Sequence, residues 1–228
     1  MAEKDITEKL LTDIDEVFAD IYNNLCFNGD NIIKPDDLSN ASVTTAFISN
    51  DVTRGLISDV SKIYKNSNLT LALLNIENQS TEDSDMPFRI IGYEGAKYSS
   101  QLISGSNARH VVATLVLNFN TKKRWSTPKS IKESLKNKYP IELDEYINDY
   151  KINVIDVAFM DKENIEKLNS DFKAVAKIER LDKRLMPQIP WPLVHPEPKR
   201  VPKPTSKPAM IIIQGLVFSS ISGCMHSP

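Results

Sequence analysis

The sequence predicts an α/β domain, a mixed sheet with an antiparallel hairpin flanked by helices, followed by a proline-rich C-terminal tail. Three observations lead to this prediction. Helical hydrophobic periodicity occurs near the N-terminus and again before residue 185. Strand-like apolar runs lie between these helices, and two of them are separated by a short polar turn. Nine of the 13 prolines follow Met186, where proline excludes helix and central strand because it lacks the N–H group and fixes φ.

The first element is a helix over residues 5–28. Its apolar residues recur every three or four positions and so form one face. We expect Asn28 and Gly29 to end it, because both residue types accept the left-handed conformation that closes many helices. The segment 32–50 has no clear period, and we expect it to be irregular apart from a short turn or helix that starts at Pro35.

Two strand-like runs follow and predict the hairpin. Residues 55–64 alternate between apolar and polar side chains, whereas residues 69–79 are apolar on both faces. Residues 65–68 between them have the composition of a tight turn. We therefore expect the two strands to pair antiparallel.

The second half of the domain alternates helices with strands. Ser84, Asp85 and Pro87 are typical of a helix start, with a capping residue followed by proline in the first turn. The remaining elements that we expect are a helix from there to about Ile103, a strand at 110–120, a helix from Ser130 to Lys138, a strand at 151–159 and a closing helix from Glu163 to Leu185. Helices mixed with a partly antiparallel sheet indicate an α/β sandwich.

Composition bounds the class of protein. The chain has 228 residues with 41% hydrophobic and 25% charged residues, which excludes wholesale disorder and a disulfide scaffold. Its 28 basic and 30 acidic side chains give a net charge of −2, and residues 1–185 alone carry −5. No global positive field attracts nucleic acid, so any such binding needs a local patch. Two distant cysteines, no signal peptide and no apolar run long enough for a bilayer predict a cytoplasmic protein that does not engage membranes.

The tail, residues 186–228, is predicted to be a separate, disordered segment beside a domain of residues 1–185. It has an extended, polyproline-like composition and a net charge of +3. Two other interpretations stay open. The tail has the composition of a ligand for a proline-recognising partner domain, and its abrupt change of composition also fits translation out of the ancestral frame.

The hairpin carries the candidate chemistry. Alternation along a strand places Asn75, Glu77 and Gln79 on one face, and Asp59 lies on the matching face of the other strand. A turn centred near Ser67 sets Asp59 opposite Asn75, with Glu77 on the diagonal. A turn centred one residue later sets Asp59 directly opposite Glu77. In both registers the two carboxylates project from one face within about 5–8 Å of each other.

A pair of carboxylates in an apolar sheet is costly unless something neutralises it. A divalent cation does so, and Mg²⁺ prefers a few carboxylate oxygens together with waters. Such a cation activates water and stabilises phosphoryl charge. The alternative is that both acids are ordinary solvated residues near strand ends.

The helix expected after the hairpin adds a polar stripe. Its members recur every fourth residue and so share one side of the helix; they are Arg89, Tyr93, Lys97 and Gln101. Beside a carboxylate pair, these side chains are candidates for contacts with DNA phosphates. The alternative is a solvated helix face.

Several runs together resemble a known family. They are DIDEVFADIYNNLCFNGDNIIKPDDL (13–38), SDVSKIY (58–64), LALLNIENQSTEDSDMPFRIIGYEGAKYSSQL (71–102), VVATLVLNFNTKKRWSTPKSI (111–131) and INDYKINVIDV (147–157). In order and spacing, they resemble the recombination-promoting nuclease and transposase family, part of the PD-(D/E)XK nuclease superfamily. The resemblance covers roughly residues 5–185.

The resemblance implies a restriction-endonuclease-like core and a metal-dependent DNA endonuclease. It matches Asp59 to the hairpin aspartate and Glu77 to the glutamate of the E-x-K motif, with Mg²⁺, or Mn²⁺, held by both and by the main-chain carbonyl of Asn78. Gln79 stands where the superfamily usually has lysine, although relatives in this family often show E-x-Q. Gln79 can orient the attacking water but brings no charge.

That substitution leaves an alternative open, a catalytically inactive remnant or DNA-binding module with the same fold. Target sequence, strand preference and oligomeric state are not predicted from the sequence.

Overall fold

The computed structural model describes residues 2–49, 52–66, 69–104 and 109–185. The proline-rich segment 186–228 lies outside the described residues, and so do Ser67 and Asn68 of the expected hairpin turn. The division into a domain of residues 1–185 and a tail therefore stays a prediction.

The described residues form six α-helices and seven strands. The helices are α1 (Ala2–Thr12), α2 (Asp15–Leu25), α3 (Met86–Ile103), α4 (Ile131–Ser134), α5 (Lys162–Lys167) and α6 (Phe172–Leu185). The strands are β1 (Leu38–Asn40), β2 (Thr44–Ser49), β3 (Val52–Ile57), β4 (Val60–Asn66), β5 (Leu69–Gln79), β6 (Val111–Asn118) and β7 (Asn153–Asp156). Three short 3-10 helices cover Pro35–Asp37, Ile141–Tyr146 and Val157–Phe159.

Five strands build one mixed sheet in the order β1-β4-β5-β6-β7. The pairs β1/β4 and β4/β5 are antiparallel, whereas β5/β6 and β6/β7 are parallel. Strands β2 and β3 form a separate two-stranded sheet. The predicted mixed α/β fold with an antiparallel hairpin is thus confirmed, and it is compatible with a restriction-endonuclease-like core.

The two faces of the sheet bury two different cores. One face packs against α2 and α6 through residues such as Phe18, Ile76, Leu117 and Phe172. The other packs against α3 around Val116 and its neighbours. Side chains alternate along a strand. Ile76 of β5 and Leu117 of β6 belong to the first core, so the residues next to each of them in its own strand face α3. The sheet therefore presents Asn75 and Glu77 to α3.

The single N-terminal helix expected over residues 5–28 is in fact two helices, and this prediction is wrong at its centre. Ile14 is extended, with φ −69° and ψ 126°, between α1 and α2. The side chain of Lys62, 2% exposed, enters this break, donates 2.7 Å to the carbonyl of Asp13 and pairs with Asp13 and Asp15 at 2.9 Å. Asn28 and Gly29 adopt positive φ as expected, although the helix already ends at Leu25.

The strand expected over residues 55–64 is also interrupted. Strand β3 ends at Ile57 and pairs with β2, while β4 begins at Val60 and pairs with β5. Asp59 lies in the interruption. The segment 32–50, expected to be irregular, contributes the 3-10 helix at Pro35 and two strands.

The closing helix expected from Glu163 to Leu185 is two helices, α5 and α6. The backbone N–H groups of Asn169 and Ser170 donate to the carboxylate of Asp20 at the break between them. The strands expected at 110–120 and 151–159 and the helix expected from Ser130 to Lys138 exist but are shorter, as β6, β7 and α4. Across the described part of the chain, the helices all fall short of the length and apolarity that a bilayer span requires.

Candidate functional site

The hairpin register sets Asp59 opposite Glu77. Val60 pairs with Ile76 and Ser61 with Asn75, so one further step along both strands reaches Asp59 and Glu77. This is the second of the two registers considered above. The pairing shifts by one residue at a β-bulge between Tyr64 and Lys65, close to the turn.

Asp59 is held against β5 by a backbone contact. Its Oδ2 atom accepts a 2.8 Å hydrogen bond from the N–H of Asn78. The N–H and C=O of one strand residue point to the same side, so the carbonyl of Asn78 points to the side where Asp59 lies. The Asn78 side chain leaves the opposite face and donates 3.0 Å to Thr12 on α1.

Glu77 is buried and incompletely paired. Its residue exposure is 1%, and its Oε1 atom is buried with no hydrogen-bond partner in the described part of the chain. Its Oε2 atom lies 3.6 Å from a guanidinium nitrogen of Arg89. Burial and the neighbouring Asp59 raise the pKa of Glu77 to about 8, against the opposing effects of Arg89 and Lys97.

Arg89 is fixed from the loop that precedes α3. It donates 2.8 Å to Oδ2 of Asp83 and contacts the Tyr93 hydroxyl at 3.1 and 3.0 Å. Burial lowers the pKa of Arg89, but the hydrogen bonds of Asp83 and Tyr93 outweigh it and the net shift is upward. The guanidinium therefore stays charged between Asp83 and Glu77.

Lys97 enters the same face of the sheet one step along the strand. It is 6% exposed and donates to Oγ of Ser61 at 2.7 Å and to the side-chain oxygen of Asn75. Asn75 in turn donates 3.2 Å to Thr114 on β6. Burial lowers the pKa of Lys97 to about 8, opposed by Glu77 and Glu94. A buried positive charge thus lies beside the buried acid.

The predicted polar stripe does lie along one side of α3, but this side faces the sheet. Tyr93, Lys97 and Gln101 are buried, which shows that the solvated-face alternative is wrong for these three residues. Gln101 exchanges two hydrogen bonds with the backbone of His110, at 3.2 and 3.0 Å. The role of the stripe in contacting DNA phosphates stays a prediction, and Arg89 is its most exposed member.

The residues fit a divalent cation held by few protein ligands. The described residues contain no group of three or more His, Cys, Asp and Glu side chains placed to share a metal. Asp59, Glu77 and the Asn78 carbonyl nevertheless offer three oxygen ligands, and Glu77 has an unpaired buried oxygen. Mg²⁺ commonly takes one or two carboxylates and keeps several waters, so this set suits it. Gln79 ends β5 on the same face, half-buried.

Sequence reasoning missed Asp83, which positions Arg89. Its signal was present in the sequence, an acid just before a helix whose first turn carries an arginine. The contact itself depends on the path of the loop, which has no sequence period. The alternation predicts the correct face for Asn75, but the contact of Lys97 with Asn75 and Ser61 depends on the packing of α3.

One of three comparisons with known proteins found a match. A family model described as "Putative transposase, YhgA-like" matches residues 10–186, which is more than half of the chain. Searches of curated proteins and of solved structures gave no significant match.

Proposed function

The chain belongs to the YhgA-like transposase family, and from that premise we propose that it is a metal-dependent DNA endonuclease of the recombination-promoting type. Membership of a transposase family implies DNA as a partner. The bond that such an enzyme hydrolyses is the phosphodiester of the DNA backbone. Asp59, Glu77 and Gln79 are the residues to which we assign the chemistry.

The observation that carries this proposal is the unpaired Oε1 atom of Glu77. A carboxylate that is 1% exposed pays a large desolvation cost, and one of its oxygens has no hydrogen-bond partner among the described residues. A second carboxylate, Asp59, stands opposite it and raises its pKa further. Two acids placed in this way destabilise each other unless a cation joins them. This arrangement supports the proposal that Glu77 serves as a metal ligand.

Each residue has a definite task in this proposal. Asp59 and Glu77, with the carbonyl of Asn78, hold a Mg²⁺ or Mn²⁺ ion. When bound, the ion supplies activation of water and stabilisation of the charge that develops on the phosphate. Gln79 orients the attacking water through its amide, which both donates and accepts hydrogen bonds.

Positive charge reaches the site from α3. Because Gln79 stands where the motif usually has lysine, the positive charge that stabilises a phosphate must come from other residues. Arg89 lies 3.6 Å from Glu77, and Lys97 lies one step further along the sheet. Both cations lower the pKa of Glu77 and thereby favour the ionised form that a metal requires. In this proposal, Arg89 and Lys97 also attract a phosphate bound beside Glu77.

A specific contact favours a second candidate function, a DNA-binding module that has lost catalysis. Arg89 already offsets part of the charge of Glu77 without any metal. Gln79 adds no charge where the motif usually has lysine. The ion pair of Arg89 with Glu77 and the neutral Gln79 together are compatible with a site that is purely structural. Such a chain binds DNA but does not cut it.

A plasmid-nicking assay distinguishes the two candidates. The full chain is incubated with supercoiled DNA in Mg²⁺, Mn²⁺ or EDTA, beside Glu77→Gln and the matched control Glu145→Gln, which removes the same charge from an exposed residue. We expect nicking by the wild type and the control in both metals, and by neither in EDTA. Glu77→Gln should be inactive throughout. DNA retention without nicking by the wild type would instead support the DNA-binding module.

A further inference from the structure

The loop between β6 and α4 carries the strongest local positive charge in the sequence. Residues 122–124 are Lys-Lys-Arg, the only run of three consecutive basic residues in the chain. This loop, residues 119–130, follows directly after Asn118 at the end of β6. We call residues 120–127 the basic loop. In a domain with a net charge of −5, such a run forms a distinct patch.

The basic loop begins in a turn that a side chain shapes. The side-chain oxygen of Asn120 accepts hydrogen bonds from the N–H groups of Lys122 and Lys123, at 2.9 and 3.3 Å. The N–H of Asn120 itself donates 3.2 Å to the side chain of Asn118. Asparagine is well suited to such turns because its side chain imitates a backbone acceptor. The basic run therefore leaves the sheet in a defined direction.

Two carboxylates hold the other end of the loop. Glu82, from the loop before α3, accepts from the N–H groups of Ser126 and Thr127 and pairs with Lys123. These hydrogen bonds, with Lys123 the largest contribution, lower the pKa of Glu82 to about 2.

Asp156 at the end of β7 supplies the second anchor. It accepts 2.8 Å from the N–H of Trp125 and 2.7 Å from the side chain of Asn118. Strands β6 and β7 are parallel, so the basic loop is fixed to the shared carboxyl edge of the sheet.

The basic side chains remain accessible to solvent, although Lys123 pairs with Glu82 and Arg124 lies 4.0 Å from Asp156. The side chains of Lys123 and Arg124 are 59% and 64% exposed, and Lys122 is exposed as well. A loop with buried anchors and exposed cations loses little conformational entropy when it binds a ligand. Several exposed positive charges close together suit the phosphates of a polyanion.

A chain of polar contacts joins the basic loop to Glu77. Glu82 is adjacent in sequence to Asp83, whose carbonyl accepts from the Thr127 hydroxyl at 3.4 Å. Asp83 binds Arg89 at 2.8 Å, and Arg89 lies 3.6 Å from Glu77. The loop and the candidate site thus share one edge of the sheet and one supporting element.

We propose that the basic loop is the surface that binds the DNA backbone and directs it toward the Asp59–Glu77 site. The role in directing DNA to that site rests on the proposed function, whereas the binding role does not. The ligand is recognised as a run of phosphates, without reading the bases. The stripe on α3 contributes Arg89 close to the acids, and the loop supplies the contacts to the flanking backbone.

The test measures binding of a fluorescent DNA duplex by the full chain in EDTA, at several salt concentrations. The variant Lys122→Gln/Arg124→Gln removes two exposed cations of the loop. We expect its affinity at low salt to fall about tenfold or more, and the slope of log K against log salt to fall by about 2, one for each lost phosphate contact.

The matched control is Lys34→Gln/Lys65→Gln, which removes the same charge from two exposed residues. Lys65 pairs with Thr70 near the start of β5, about 30 Å along that strand from Gln79. Lys34 precedes β1, whose first residue pairs with Tyr64, next to Lys65. The control should keep the slope of the wild type, because only the net charge changes.

Arg124 also has a packing role, since it lies over the Phe159 ring at 5.0 Å and donates 3.2 Å to the Phe159 carbonyl. The single variant Lys122→Gln avoids this contact, and we expect it to lower the slope by about 1. Equal loss in the control and the double variant, or no DNA retention by the wild type in EDTA, would overturn the interface. Nicking is scored separately from binding. If the wild type binds DNA without nicking it, and the loop variants bind more weakly, only the endonuclease proposal is refuted.

Discussion

The side chain of Asp59 accepts a 2.8 Å hydrogen bond from the backbone N–H of Asn78. Asp59 lies where β3 has ended and β4 has not begun, so its backbone is free of the ladder at that point. The hydrogen bond ties this interruption to the strand that carries Glu77. It holds Asp59 beside β5 and leaves the Oε1 atom of Glu77 without a hydrogen-bond partner among the described residues.

The first prediction concerns metal binding. Mg²⁺ should raise the thermal midpoint of the wild type, because a ligand that binds only the folded state adds RT ln(1 + [L]/Kd), about 2.7 kcal/mol at a hundredfold excess over Kd. That corresponds to roughly 5–11 °C for a domain of this size. Glu77→Gln keeps the shape of the side chain, removes its charge and should abolish the shift. Thermal unfolding with and without Mg²⁺ measures both.

Glu145→Gln is the control for this prediction, because Glu145 is exposed and lies outside the site. It should show the same Mg²⁺ shift as the wild type. If all three proteins respond equally to Mg²⁺, the ion acts elsewhere on the chain and the metal role of Glu77 is refuted.

The second prediction concerns pH in EDTA. The pKa of Glu77 is raised from 4.5 to about 8, so the folded protein keeps a proton that the unfolded chain has lost between these values. The free energy of unfolding should therefore fall as pH rises from about 4.5 to about 8, by about 1.4 kcal/mol for each unit of pKa shift. Glu77→Gln should lack this fall and be the more stable protein at pH 8. Urea unfolding at four pH values measures it.

Asp59→Asn provides the matched variant for the pH experiment. Its side-chain oxygen can still accept the hydrogen bond of Asn78, but its charge no longer raises the pKa of Glu77. The fall in stability should then span a narrower pH range than in the wild type. A wild type whose stability is flat across this range would show that Glu77 is ionised in the folded protein at neutral pH.

The order of the main elements from β4 to α6 could be predicted from the sequence, since apolar periodicity reports which residues face a core, whereas β1 and β2 were not expected. The sequence also predicts that Asp59 and Glu77 lie on the same face of the sheet. Side chains alternate along any strand, whatever the rest of the fold. The register was left between two choices, since the β-bulge at Tyr64 and Lys65 adds a residue that no local pattern reveals.

The breaks in the helices could not be predicted in this way. The apolar spacing of residues 5–28 continues through Asp13 and Ile14, and the contacts that Lys62 of β4 makes with the interruption leave no trace in that spacing. Asp20 similarly organises the break between α5 and α6 from 149 residues away. The contact of Lys97 with Ser61 and Asn75 has the same origin, because a lysine in a helical stripe looks solvated until the helix packs on the sheet.

The third prediction tests the helix break. Lys62→Met removes the ammonium that pairs with Asp13 and Asp15 and leaves the Asp13 carbonyl without its donor. Loss of a buried hydrogen-bond partner costs about 1–3 kcal/mol, and both acids are half-exposed, so their own cost is small. We expect the thermal midpoint to fall by roughly 2–12 °C. Lys65→Met, at an exposed position of the same strand, should change it little.

A Lys62→Met protein as stable as the wild type would mean that the two helices are separated by their own sequence. In that case the ion pairs of Lys62 are a consequence of the break and do not maintain it.

The last prediction concerns Gln79, the residue to which the proposed function gives the task of orienting water. Gln79→Lys places a positive charge on the face that carries Glu77, where it could stabilise the charge on a phosphate if the proposed function is right. It should keep the Mg²⁺-dependent thermal shift, because neither acid is altered, and it should raise the nicking rate above that of the wild type. Gln79→Met has a similar length without a polar group. It should also keep the shift but lower nicking, on the order of 10²-fold if the amide orients the attacking water. Nicking rates in Mg²⁺ and thermal midpoints for the three proteins give the comparison. If Gln79→Met cuts as fast as the wild type, Gln79 has no part in positioning the water, and the charge supplied by Arg89 and Lys97 must account for the activity without it.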